Sequence, residues 1–426
     1  MNTKRMVGIV AVAIAMLLAI TSASPVMAQD VSAVVEKIDK DMAGLIEATE
    51  IIHKETDAII GVEGMPDEVA AMAETTHLST HSLEFIGVYM ESSIEKLDTY
   101  KAEPEENREK MLFTVGKIEA LRKLYQDTID SSDFVTTMGL PVTGKSPYDL
   151  IHALIENQEV QASPEAISAA GDVHNAVHDL GDAAKSMKLN LEDLEDALTE
   201  APAPAPKESG SEIAESVGNI DKNMVELKGA AETIHEETKV IISGVEGMPD
   251  EMKDTAKTVH LSSHALKHIE VYMDNYIGKL DTYKAEPEKN KAKMLVTAGK
   301  IDALLRVYKD ITGASEFVTT MELPVTGKSP HDLVHLLMEN PDVQASPEAI
   351  SAAGDVHTAS HDLGDAAQAM RLNLEELEDA LAELGEPTTT TAAAPTPTST
   401  PEAPGFGAAF AITGILAVAY MVFRKN

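Results

Sequence analysis

The 426-residue chain contains no cysteine and no tryptophan, and aromatic residues make up only 4% of it. Without a thiol there is no disulfide framework, no thiolate zinc or iron–sulfur site, and no Cys-x-x-Cys-His haem attachment. Basic residues are scarce too: 34 Lys and Arg stand against 71 Asp and Glu, a formal charge of −37. Nucleic acid and anionic bilayers repel such a chain, so no nucleic-acid partner is expected. What remains is a 44% hydrophobic content with little aromatic share, which suits helices packed through aliphatic side chains better than a β-sandwich. The expected fold class is all-α, and the length allows two domains, each with its own core.

Apolar runs mark both ends. Lys4 and Arg5 precede the run from Met6 to Ile20, and a small-residue stretch ends at Val26-Met27-Ala28. This pattern predicts a secretory signal peptide over residues 1–28, cut by signal peptidase after Ala28; the run is short for an uncleaved anchor. At the other end a Thr/Pro-rich stretch over 386–404 predicts an extended stalk that cannot build a core. An apolar segment over 407–423 follows, at the short limit for a transmembrane helix, and Arg424-Lys425 would sit on its cytoplasmic side.

The order of Thr/Pro-rich stretch, the tripeptide Pro404-Gly405-Phe406, hydrophobic helix and terminal basic cluster resembles the PGF-CTERM sorting signal of archaeal surface proteins. The resemblance spans roughly the last 40 residues and implies an address rather than an activity. In that family an archaeosortase removes the terminal helix and a lipid anchors the new end at the extracellular face of the cell membrane. S-layer or other envelope proteins would be the neighbours. Loss of Lys4, Arg5, Arg424 and Lys425 would leave 30 basic and 71 acidic residues, a net charge of −41.

An internal repeat dominates the rest. The segment from Val160 to His174 recurs unchanged from Val343 to His357, 183 positions on, while Ile38-Asp39-Lys40 recurs at Ile220-Asp221-Lys222, 182 positions on. The predicted organisation is a first helical bundle over 29–200, a Pro/Ala/Ser linker over 201–211 and a second bundle over 212–385. In the first copy, Val31, Val34, Ile38, Met42, Leu45, Ile52 and Ile59 fall at helical spacing. Gly61 to Gly64 break that helix, and Pro66-Asp67-Glu68 open a second one running to about Tyr100. A third follows Pro104, a short one is capped by Ser146-Pro147, and a fourth long one opens at Ser163-Pro164-Glu165. Four long helices per copy predict two tandem four-helix bundles.

Gly139-Leu-Pro-Val-Thr-Gly144-Lys145-Ser146 fits a P-loop pattern. No hydrophobic strand precedes it, Pro147 follows at once, and the second copy has Glu322 in place of Gly139, so Ser146 reads as a helix cap. Histidine is the stronger signal. His53, His77, His81, His152, His174 and His178 of the first copy return as His235, His260, His264, His335, His357 and His361. The pairs His77/His81, His174/His178, His260/His264 and His357/His361 are spaced His-x-x-x-His. On a helix such residues lie about 40° apart around the axis and ~6 Å along it, so both rings can meet one ion.

The candidate metal ligands are therefore His174, His178, His357, His361, His77, His81, His260, His264, His53 and His235, with the fourth-helix pairs first. They would suit Zn, Cu, Ni or Fe, or axial ligation of haem b. His77 and His81 lie nearly opposite the Met72, Leu83, Met90 stripe, on a face that solvent, an interdomain contact or a separate site could occupy. His268 and His331 replace Phe85 and Tyr148 and so are not required by a site common to both copies. Methionines at helical spacing read as core filler and the carboxylate runs as solvated faces. No Gly-x-Ser-x-Gly, His-Glu-x-x-His or Asn-x-Ser/Thr pattern is present. The expected role is noncatalytic: an anchored structural or interaction module of the envelope, or alternatively a carrier of transition metal or noncovalent haem.

Overall fold

The computed structural model describes residues 3–199, 210–244 and 248–384, and every regular element among them is a helix. The first repeat holds four long helices, α1 (Thr3–Ile60), α2 (Asp67–Tyr100), α3 (Arg108–Asp130) and α7 (Pro164–Thr199). Three short ones lie between α3 and α7: α4 (Ser132–Thr137), α5 (Pro147–Glu156) and α6 (Gln158–Ala162). The second repeats the order, with long helices α8 (Gly210–Gly244), α9 (Asp250–Tyr283), α10 (Pro287–Gly313) and α14 (Pro347–Glu383). Its short helices are α11 (Ser315–Thr320), α12 (Pro330–Glu339) and α13 (Pro341–Ala345).

Local chemistry sets these boundaries. Gly64 takes φ +83° in the turn after α1, extended Pro66 leads into α2, and Asp67 and Glu68 sit where the helix dipole favours acids. Ser146 Oγ accepts the Asp149 amide at 3.1 Å, so the P-loop-like stretch is a cap between α4 and α5, preceded by a helix rather than a strand. Helix α1 starts far upstream of the expected Val31, because the apolar N-terminal run continues its backbone without a break at Ala28.

In each repeat the long helices close a ring: α1 packs on α2 and α7, and α3 packs on α2 and α7, with α8, α9, α10 and α14 doing the same. Ile38, Leu45, Ile52, Leu83, Met90, Leu97, Met111 and Ile118 fill the first interior, as the helical periodicity requires. Met42 and Met187 are buried among them as filler, as Met224 and Met370 are in the second interior.

The repeats also pack on each other, and every described residue belongs to one compact unit. Helices α3 and α10 cross where Gly116 faces Gly299: a Cβ on either would lie 1.9 Å from a carbonyl oxygen of the opposite helix, Val296 O or Phe113 O. Around that crossing, contacts come in reciprocal pairs. Tyr89 donates to Asp310 at 2.7 Å and Tyr272 to Asp127 at 2.6 Å. Lys117 pairs with Asp302 at 2.7 Å, and Lys300 with Glu119 at 2.6 Å. Short helices reach across as well, α4 onto α9 and α11 onto α2.

Of the expected linker over 201–211, residues 201–209 lie outside the described residues and 210–211 already belong to α8; the stalk over 386–404, the apolar segment over 407–423 and Pro404, Gly405 and Phe406 also lie outside them. Among the described residues no helix is long and apolar enough to cross a membrane.

Candidate metal centres

Helices α1 and α2 bring His53, His77 and His81 together, with ring centroids 4.5 to 5.0 Å apart. The hydrogen bonds fix which nitrogen is available. His77 Nδ1 lies 3.2 Å from the His53 carbonyl, which can only accept, and 3.2 Å from Thr56 Oγ1, whose own proton goes to the Ile52 carbonyl at 2.7 Å. His77 therefore carries its proton on Nδ1 and keeps a lone pair on Nε2. His53 turns Nδ1 toward Glu84 Oε1 at 3.2 Å, the carboxylate support that holds a ligating imidazole in place. His81 is 4% exposed and its Nε2 has no hydrogen-bond partner. Burial, then repulsion from His77, pushes His81 down to about 4, so its ring is neutral at physiological pH and able to ligate.

The equivalent centre on α8 and α9 holds His235, His260 and His264, with centroids 4.6 to 4.8 Å apart. His260 Nδ1 donates to Thr238 Oγ1 at 2.9 Å, because Thr238 has given its proton to the Ile234 carbonyl at 2.7 Å. His235 Nδ1 donates to Ser263 Oγ at 3.1 Å, because Ser263 donates to the His260 carbonyl at 2.6 Å. Both keep Nε2 lone pairs. The Nε2 atoms of His260 and His264 face each other at 3.2 Å, so a proton from His264 or a cation that both ligate must lie between them. Burial lowers His235 and His260 to about 4 and lowers His264 as well.

A second pair of centres is built where a short helix docks beside the last long one. His152 on α5 meets His174 and His178 on α7, with centroids 4.7 to 5.6 Å apart, and Tyr148 lies 4.5 Å from His152. In the second repeat, His335 on α12 meets His357 and His361 on α14 at 4.7 and 5.7 Å, and His331 joins at 4.8 Å from His335 and 5.1 Å from His361. These centres are more open, with His178 and His361 exposed. In all four clusters, one nitrogen from each of three histidines lies within 4.8 Å of the others.

The expected pairs are thus halves of larger groups. His53 and His174 fall in separate clusters, and the face of α2 bearing His77 and His81 packs on α1, with His77 half-buried and His81 buried and reaching the second repeat at Glu322. His152 and His335 were not among the expected ligands, because a histidine on a short helix of a long connection reveals no partner until that helix docks. His331 adds a fourth ring to the second-repeat cluster where the first has Tyr148, so it belongs to one centre without being required by a site common to both.

Residues 403–425 match the PGF-CTERM motif. The chain carries an archaeosortase sorting signal. It is an archaeal surface protein, processed at its C-terminus and anchored there to the membrane. No curated protein and no solved structure matches the chain.

Proposed function

We propose that this surface protein binds divalent transition metal outside the cell, in three- and four-histidine centres built by its helices. One observation carries the reading: four times over, imidazoles from separate helices converge on a single point. A tetrahedral zinc with bonds of ~2.0–2.2 Å sets its ligand atoms roughly 3.4 Å apart, a small contraction from the spacing present. With neutral imidazole and no thiolate, the favoured ions are Zn(II), Cu(II) and Ni(II). Haem b fits less well, because a macrocycle needs ligands on opposite faces with open space between them, and these rings already lie against one another.

The stalked helices would also serve as an envelope spacer beside S-layer or other surface proteins, but a spacer needs no convergent histidines. In this reading the protein is a binding protein and not an enzyme. The test is metal analysis and Zn(II) titration of the full chain purified without a polyhistidine tag. Four equivalents are expected, falling to two in the His178→Ala, His361→Ala double variant, which removes one ligand from each centre beside α7 and α14, with no Soret band after exposure to haem. Less than one equivalent in the parent protein would leave the spacer alone.

A further inference from the structure

The centre on α1 and α2 differs from that on α8 and α9 at two carboxylates: Glu84, where the second repeat has Lys267, and a glutamate supplied by the other repeat. Among the described residues, all but one of those with positive φ are glycines; the exception is Glu322, at φ +49°. Its counterpart 183 positions earlier is Gly139, at φ +64°, so the loop demands a left-handed residue at this point and the first repeat supplies the one that adopts it freely. The second repeat puts a glutamate there instead. That loop follows α11, which packs across the repeat boundary onto α2. Glu322 Oε2 consequently lies 3.9 Å from His81 Nε2, the buried ligand nitrogen with no hydrogen-bond partner.

We propose that Glu322 is the fourth ligand of the His53, His77, His81 centre, so that the ion held there ties the second repeat to the first. The proposal rests on the metal-binding reading above. Three imidazole nitrogens and one carboxylate oxygen make a closed tetrahedral set, and the 3.9 Å separation shortens to the roughly 3.4 Å of a tetrahedral pair by a small side-chain rotation. Glu322 is largely exposed, so nothing packs against that rotation. Residues held in a costly backbone conformation cluster where function requires them, and a ligand supplied across the boundary would account for tolerating glutamate where glycine costs nothing.

At the equivalent place beside His264, Gly139 offers no carboxylate. Glu236 lies 3.6 Å from His235 Nε2, but its Oε1 is engaged with Lys239 at 3.0 Å. The second centre therefore keeps an open position for water or an exchanging ligand, and the two repeats hold one closed site and one open one.

The experiment uses the full chain carrying His178→Ala, His264→Ala and His361→Ala, which leaves only the His53 centre intact. Zn(II) affinity is read by competition with a chromophoric chelator, and ligand field by Co(II) absorption. Glu322→Gly and Glu322→Gln are each expected to weaken Zn(II) binding by about tenfold or more at unchanged stoichiometry, and to alter the Co(II) spectrum. Without metal, Glu322→Gly is expected to be at least as stable as its parent, because glycine suits the backbone. Titrations of both variants that superimpose on the parent would overturn the proposal while leaving the histidine centre standing. A parent that binds no Zn(II) would instead overturn the metal reading itself, and this proposal with it.

Discussion

Glu270 sits in a buried position that Gly87 occupies in the first repeat. The Tyr308 hydroxyl donates to it at 2.9 Å, yet burial outweighs that bond and pushes the carboxyl up to about 7. An acid whose folded pKa is raised contributes stability below its unfolded value near 4.5 and loses it as pH rises through 7. Glu270→Gln should therefore match the parent at pH 4 and exceed it at pH 8 by about 2 kcal/mol, as read from urea midpoints. Coincident midpoints at pH 8 would mean that the site stays hydrated. The buried histidines run the other way. His81, His235, His260 and His268 are each lowered to about 4, so the apo protein loses stability as pH falls from 6.5 toward 4.

Among the elements, the crossing of α3 and α10 has the least tolerance. With a would-be Cβ only 1.9 Å from a backbone carbonyl, Gly116→Ala must push the helices apart, since a carbonyl cannot swing aside as a side-chain tip can. A loss of at least ~3 kcal/mol is expected by thermal or urea unfolding, whereas Gly171→Ala on α7, which meets nothing within 4 Å, should be neutral or mildly stabilising.

Most helix boundaries were legible in the sequence because proline, glycine and capping serine act locally: Pro66, Ser146-Pro147 and Ser163-Pro164 each stand where a helix begins. The close approach at Gly116 and Gly299 was not legible, because each glycine lies inside an apolar helical run and its reason is a carbonyl of the other repeat, Val296 or Phe113. The same distinction governs the centres. Pairs four residues apart on one helix could be read directly, and His53 and His235 stand out as candidates without a partner, whereas His152 and His335, on short helices that dock late in the chain path, do not. Glu322 was noticed in the sequence only as a misfit to a phosphate loop, and its proximity to His81 depends on how the two repeats pack.

For the whole molecule, ion binding and folding are coupled, because every centre joins at least two helices and a bound ion favours the folded chain. Stripping metal with a chelator at pH 7 should lower the melting temperature, and adding Zn(II) should restore it. Where several histidines are already neutral in the fold, protons compete for them only in stronger acid. The gap between loaded and stripped protein should persist at pH 5 and close near pH 4. A gap that vanishes by pH 6 would place the ions on ordinary solvent-exposed histidines.

The reciprocal bonds between the repeats, Tyr89 to Asp310 answered by Tyr272 to Asp127, have a further meaning. A surface that meets its own copy residue for residue is self-complementary, the mark of a twofold homodimer. The two repeats pack on each other as the subunits of such a dimer would, within one polypeptide. In a homodimer any substitution appears twice, and a glutamate at the Gly139 position would arrive in both halves. Within one polypeptide that constraint is absent, and Glu322, His331, His268 and Glu270 each stand on one side only.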